Sequence, residues 1–411
     1  MPEVMQGMLK RRKAMKKKYS AELRAFALTL NFYSSKAYNY VRKTFHNLLP
    51  ETSTIRKWYA VINGRPGFTD EVFTALKYKT RMNEDPIICN LVVDEIAIRQ
   101  QITYDGNRFY GCVDLGVNNN TDMDNPPQAK NALFFMAVAL NGHWKIPLGY
   151  FLIDSLNGKE RGSLLEKCLQ LIEETGVRVH SLTFDGATVN ISMCNSLGAN
   201  FQIGPQFKPY FRNPANNKKV FCFFDPCHMI KLVRNTLGDK LILQSNSQNI
   251  FWEYIVQLQK MQDEEGLRAG TKLTKKHIMY AHNKMNVKLA AQTLSESVSC
   301  GLRFAKECAP QTFKSPEETA LFCTMFNNAF DLLNVRSQFS KKNKFNVALT
   351  TNNFNELQGY ANNIIAYIKN LKDSQNLPIV ESNRKTGFLG FIICLTNIFE
   401  LFQLLKNFLF N

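Results

Sequence analysis

The strongest constraint on the fold is a design that occurs twice, an apolar run that stops at an aspartate. In Pro86 to Gln101, PIICNLVVDEIAIRQQ, six of the seven residues from Ile87 to Val93 are apolar or Cys. That reads as a buried central strand. Asp94 follows where the apolar run ends. A carboxylate in that position is costly unless it is hydrogen-bonded, paired or bound to a cation. Val177 to Asn190, VRVHSLTFDGATVN, repeats the plan: Val179, Leu182 and Phe184 lead to Asp185, and Gly186 follows. Two strands that each end in an aspartate can hold one divalent metal between them.

A chain of 411 residues can bury a large core in two or three domains. Its net charge of +17 favours a polyanionic partner, nucleic acid first and an acidic membrane second. A Lys-rich surface that only keeps the protein soluble is the plainer explanation. The ten Cys form no CxxC and no Cys/His ladder, which argues against a zinc ribbon and a disulfide framework. Free thiols imply a reducing compartment, cytosol or nucleus. The N-terminus does not read as a signal peptide. Phe388 to Phe410 is broken by Thr396, Asn397, Glu400, Gln403, Lys406 and Asn407. It reads as an amphipathic or buried helix, so no membrane partner is expected.

Residues 1–18 form a basic tail with Lys10, Arg11, Arg12, Lys13, Lys16, Lys17 and Lys18. The run suits a nuclear localisation signal or a phosphate-contacting arm, and equally a solvated tail. Residues 19–63 hold three short helices. Ser20 caps the first, Ser34 or Ser35 the second, and Thr52 or Ser53 the third. Arg56 and Lys57 lie exposed on the last, which suggests a helix-turn-helix-like module that touches nucleic acid. Small helical bundles that bind nothing look much the same. After the Gly64–Gly67 break and a helix from Asp70 to Tyr78, an α/β body spans residues 80–238. Its expected strands are Ile87 to Ile98, Asn107 to Leu115, Leu133 to Leu140, Ile146 to Ile153, the run to Asp185, and Lys219 to Phe224. Helices follow at Glu160 to Thr175, from Thr188 and from Pro226. Asn118 to Asn125 reads as a polar loop. Residues 239–337 are helix-patterned without strands, an insertion domain, and residues 338–411 close the chain with helices.

Three strands, then helix, strand, helix, strand, helix is the ribonuclease-H-like order. In it the first and fourth strands are neighbours, so Asp94 and Asp185 meet at one end of the sheet. The fold class is therefore a ribonuclease-H-like mixed sheet with helices, interrupted by an all-helical insertion. Carboxylate oxygens suit Mg²⁺ or Mn²⁺, and two such ions flanking a phosphate would activate the attacking oxygen and stabilise the leaving one. Asp225, a third strand-end acid, is open to two readings, an additional ligand or the N-cap of the helix from Pro226. His228 reads as structural. Glu95 points away from Asp94 in an extended strand.

The run YSAELRAFALTLNFYSSKAYNYVRKTFHNLLPETSTIRKWY resembles the helix-turn-helix region of P-element transposases and their THAP-domain relatives. VVDEIAIRQ, LTFDGATVN and FFDPCHMIKLVRN resemble that family's ribonuclease-H-like domain. EEGLRAGTKLTKKH, KMNVKLAAQTLSESV and FDLLNVRS resemble its GTP-binding insertion, and KTGFLGFIICLTNI its returning catalytic segment. The resemblance implies a DNA transposase with GTP as cofactor, transposon-end duplex DNA as partner and the nucleus as its place of action. A second copy of the chain is a further candidate partner. Asp94 matches the family's first catalytic acid and Asp185 its second. The third belongs to a Gln-Asp-x-x-Glu run that does not occur here, and the zinc-binding THAP module is also missing. The expectation is a truncated or catalytically incomplete copy. The alternative is a non-catalytic DNA- or partner-binding regulator derived from such a transposase.

Overall fold

The computed structural model describes residues 19–61, 63–106, 109–116, 127–266, 271–335 and 343–409. The basic run from Lys10 to Lys18 and the loop 118–125 lie outside the described residues. Contacts divide the chain into two units, 1–65 and 66–411.

In the first unit, Ser20 accepts from the Leu23 amide and opens α1 (Ala21–Tyr33). Ser34 accepts from the Ala37 amide and opens α2 (Ser35–Thr44). Helix α3 (Thr52–Tyr59) departs from expectation: Glu51 holds the N-cap position, with no side-chain cap. The Glu51 carbonyl already receives the Thr54 and Ile55 amides, so Thr52 and Ser53 fall inside the first turn. Leu23, Ala27, Tyr38, Leu49 and Ile55 form the core. The Tyr38 hydroxyl donates to the Pro50 carbonyl at 2.5 Å, tying α2 to the turn before α3. Burial pushes its phenol up to about 12. Arg56 and Lys57 are exposed on the last turn of α3.

The second unit contains β1 (Gly67–Phe68), α4 (Asp70–Met82), β2 (Ile88–Ala97), β3 (Thr103–Tyr104), β4 (Phe109–Tyr110), β5 (Asn131–Ala139) and β6 (Lys145–Ile153). Then come α5 (Gly158–Glu173), β7 (Arg178–Phe184), α6 (Thr188–Ser196), β8 (Tyr210–Arg212), β9 (Lys219–Phe224) and α7 (Pro226–Lys240). The main sheet has the order β1-β6-β5-β2-β7-β9-β8. β5 and β6 join β2 as an antiparallel meander, while β7 and β9 run parallel to β2. This is the ribonuclease-H-like arrangement, with β2 central as its apolar run demands.

Asn107 to Leu115 is not a strand of this sheet. Its described part gives only β4, paired with β3 in a separate hairpin, and isolated bridges at Cys112 and Asp114. Gly111, at φ 92°, breaks the extended run: a Cβ there would lie 2.0 Å from the Gln101 carbonyl oxygen.

Cys89, Leu91 and Val93 of β2 share a buried core with Leu165, Cys168, Leu169 and Ile172 of α5. Asn157 and Glu160 form a capping box at the start of α5. Beyond residue 241 the expectation of helices alone fails. β10 (Ile242–Ser245) and β11 (Gln248–Phe251) form a hairpin, joined by β12 (Lys372–Asp373). Its two-residue turn is Asn246-Ser247, both at positive φ (47° and 67°). Turns of that kind usually carry Gly, so this one gives little warning.

Helices α8 (Trp252–Glu264), α9 (Lys275–Ile278), α10 (Val287–Thr293), α11 (Glu296–Cys308), α12 (Glu317–Leu333) and α13 (Phe354–Asn370) follow. α10 and α11 are separate helices because Ser295 caps α11, its side chain accepting from the Val298 amide. The last helix, α14 (Thr386–Leu409), is long and apolar enough to span a bilayer by composition. Within the fold its Phe388, Phe391, Ile393 and Cys394 are fully buried. Gly387 and Gly390 bring it against Met229 and Leu232 of α7.

Candidate active site

Three mutually parallel strands carry aspartates near one end of the sheet: Asp94 lies within β2, three residues before its end, while Asp185 and Asp225 directly follow β7 and β9. β2 and β7 pair through Val92 and Thr183, so two residues on, Asp94 stands level with Asp185. β7 and β9 pair through Phe184 and Phe224, so Asp225 stands level with Asp185 on the other side. The pairing sets the three aspartates at one end of the sheet, and alternation along β2 puts Asp94 on the side of Asn90 and Val92. Beneath Asp94 on that side, Asn90 accepts hydrogen bonds from Ser181 (2.8 Å) and Thr183 (3.1 Å), a polar floor in an otherwise apolar sheet.

The three carboxylates differ in what they already hold. Asp94 is exposed, and its Oδ1 accepts from the Glu95 amide at 2.9 Å. Asp185 Oδ1 accepts from the Ala187 amide (3.1 Å) and from Asn190 Nδ2 (2.6 Å). Among the described residues, Oδ2 of Asp94 and of Asp185 accepts nothing. Asp225 has both oxygens engaged: Oδ1 with the Cys227 amide (2.9 Å) and Oδ2 with His228 Nδ1 (2.5 Å). Burial pushes its carboxyl up, but the bonds from His228 and Cys227 and the nearby Lys231 outweigh that and lower it. Asp225 is thus the ionised N-cap of α7, with His228 its partner. No group of three or more His, Cys, Asp or Glu is placed to hold a metal among the described residues.

Residues passed over in the sequence surround Asp185. Arg161 of α5 is only 4% exposed. It pairs with Glu95 through Nη2 and donates to Asn190 Oδ1 through Nη1 at 3.1 Å. Glu95 does point away from Asp94, and its partner is this guanidinium. Gly186 has no room for a side chain, since a Cβ would come within 2.5 Å of Thr386 Cγ2 and 3.0 Å of Met229 Cε. It also lines a cavity of about 210 Å³ with Asp239, Lys284 and Arg384. There Asp239 pairs with Arg384 at 2.8 Å and with Lys284 at 3.6 Å.

A larger cavity, about 500 Å³, opens among α11, α12 and α13, lined by Asn327, Asn343, Lys344, Phe345 and Tyr360 among others. Asn327 and Asn343 both donate to Asp331 Oδ2, at 3.2 and 2.7 Å. Lys344 Nζ lies 4.2 Å from the centre of the Tyr360 ring. The volume is in the range that holds a nucleotide.

Comparison with known proteins decides the family. Residues 64–198 match the TNP-like RNase H N-terminal domain, 227–346 the TNP-like GTP-binding insertion domain, and 1–58 the P transposase-like HTH domain. The chain belongs to the P-element-type transposase family. It is 29% identical to human DNA transposase THAP9 over 94% of its own length and 42% of that protein's. It is 24% identical to the Drosophila melanogaster Transposable element P transposase, over 75% of this chain and 38% of that protein. The chain thus spans about two fifths of the length of these relatives. The solved Drosophila P element transposase strand transfer complex shares the fold, with TM-score 0.76 at 20% identity, covering 98% of this chain and 84% of the solved one.

Proposed function

We propose that this P-element-type chain is the ribonuclease-H-like core of a metal-dependent DNA transposase. The observation that carries the proposal is Asp94 level with Asp185 on adjacent parallel strands, each with one carboxylate oxygen that accepts nothing among the described residues. Hard oxygen donors of this kind fit Mg²⁺ or Mn²⁺, which retain several waters and need few protein ligands. A divalent ion bound there supplies activation of an attacking oxygen and charge neutralisation at the scissile phosphate. Asp94 and Asp185 hold it at the sheet end. The exposed Arg56 and Lys57, with Lys10, Arg11, Arg12, Lys13, Lys16, Lys17 and Lys18, bind duplex DNA through its phosphates. The basic run also directs the chain to the nucleus.

GTP is assigned to the cavity of about 500 Å³, where the half-buried Tyr360 ring offers a surface to a base and Lys344, beside the Tyr360 hydroxyl, a cation to the phosphates. Tyr360→Ala should weaken GTP binding about tenfold, the value of one base–aromatic stack; unchanged affinity would move GTP elsewhere.

A second reading, a non-catalytic DNA-binding regulator, is favoured by one observation: among the described residues no third carboxylate joins the pair. The test is Mn²⁺ titration, followed by cleavage of labelled terminal-repeat DNA, with wild type, Asp94→Ala and Asp185→Ala. Mn²⁺ binding lost in both variants supports a metal site. Cleavage that also depends on Asp94 selects the enzyme, and metal binding without cleavage selects the regulator or an incomplete copy. Equal Mn²⁺ binding by all three chains would defeat the metal site.

A further inference from the structure

We infer that Arg161 and Asn190 are positioning residues that set the Asp185 carboxylate for metal binding; the inference rests on the metal-site reading above. Arg161 lies on the same helical face as Leu165, Cys168, Leu169 and Ile172, the face α5 turns to the core. A guanidinium in that environment is retained only if its donors are satisfied. Three contacts satisfy it: Glu95, the Leu156 carbonyl at 3.4 Å, and Asn190 Oδ1 at 3.1 Å.

The Asn190 contact has a directional consequence. Asn190 is 3% exposed, so its amide has no water to turn towards. An amide has one accepting and one donating end. With its oxygen held by Arg161, the NH₂ group faces Asp185 Oδ1, 2.6 Å away. The reverse orientation would set donor against guanidinium and acceptor against carboxylate. Arg161 therefore fixes which way Asn190 points. Asn190, together with the Ala187 amide, occupies one oxygen of Asp185 and leaves the other for a cation. Glu95 anchors the relay from the far face of β2.

Supporting residues of this kind typically change metal affinity by about 10–100-fold. The experiment measures Mn²⁺ affinity of the 411-residue chain by electron paramagnetic resonance of free Mn²⁺, with thermal unfolding alongside. The chains are wild type, Asp185→Ala, Asn190→Leu, Arg161→Lys and the Arg161→Lys/Asn190→Leu double variant. Arg161→Lys keeps a charge for Glu95 but loses the planar fork that reaches Asn190. The expected result is about tenfold weaker Mn²⁺ binding in each single positioning variant. The double variant should be no weaker than Asn190→Leu, because both changes cut one relay. A buried ion pair that only supports the fold would leave affinity unchanged in the folded fraction, or give additive losses; either result overturns the inference. Loss in Asp185→Ala with wild-type affinity in both positioning variants overturns the inference and spares the metal site. Wild-type affinity in Asp185→Ala overturns both. If Asn190→Leu does not fold, Arg161→Lys carries the test alone, and wild-type affinity there refutes it.

Discussion

Acid should loosen the strand that presents Asp185 before it reaches the carboxylates. His180 lies in β7 and is 1% exposed. Burial is the main cause that lowers its imidazole from 6.5 to about 4; a backbone hydrogen bond to Lys219 opposes this, and the charges of Lys218 and Arg178 add to it. The sign follows from proton binding. Below about pH 6.5 the unfolded chain takes up a proton that the folded chain refuses until about pH 4. The stability of the neutral histidine is complete above pH 6.5 and is lost as pH falls. The loss amounts to about 2 kcal/mol by pH 5 and about 3 kcal/mol by pH 4. Against a typical total of about 5–15 kcal/mol that is a large fraction. The assay is urea unfolding at pH 7.5, 6 and 5, comparing wild type with His180→Gln. His277, another buried imidazole held below its ordinary value, titrates in the same direction, so the difference between the two chains is the relevant quantity. Wild type should lose about 2 kcal/mol more than His180→Gln between pH 7.5 and pH 5. Parallel pH dependence in the two chains would refute the argument. The depressed carboxyls of Asp225 and Asp373 lose their contributions only below their ordinary value of 3.8, outside this window.

Two glycine substitutions should act in opposite directions. A Cβ on Gly387 would meet Leu232 Cβ at 2.9 Å and the Val233 backbone nitrogen at 3.0 Å, so Gly387→Ala should destabilise by about 1–3 kcal/mol in urea melts. Gly359 in α13 has nothing within 4 Å of that position, so Gly359→Ala should stabilise by about 0.5–1 kcal/mol; the same sign for both would refute the packing argument. Arg56→Ala with Lys57→Ala should weaken duplex binding uniformly across sequences and reduce the slope of log affinity against log salt by about 2, read by fluorescence anisotropy. An unchanged slope would mean that α3 does not touch phosphate.

The parts of the fold that were legible in the sequence are those where one strong local rule acts alone. The apolar run before Asp94 reads as a central strand, and in the fold Cys89, Leu91 and Val93 are buried while Asn90 and Val92 are half-buried; Pro226 after Asp225 reads as the start of a helix, which it is. The parallel neighbours β2 and β7 followed from the order of elements, which brought Asp94 beside Asp185 without any contact being visible in the chain. The failures share a different cause, backbone geometry carried by residues that do not advertise it. Asn246-Ser247 turns a hairpin without glycine, and Gly111 ends an extended run through one close approach to Gln101.

The residues around Asp185 failed to register for a third reason. Arg161 stands four residues before Leu165 on an apolar stripe, so helical spacing already placed a charge inside the core. A buried arginine requires acceptors, and the acceptors are scattered: Glu95 is 66 residues away in the chain and Asn190 is 29 away. Periodicity can reveal that such a residue is out of place. What it serves follows only once β2, α5 and α6 are packed together, because the chemistry lies in the directions of hydrogen bonds rather than in residue types. That is why the pair Asp94 and Asp185 was visible from strand patterns, while the groups that orient Asp185 emerged only from the three-dimensional arrangement.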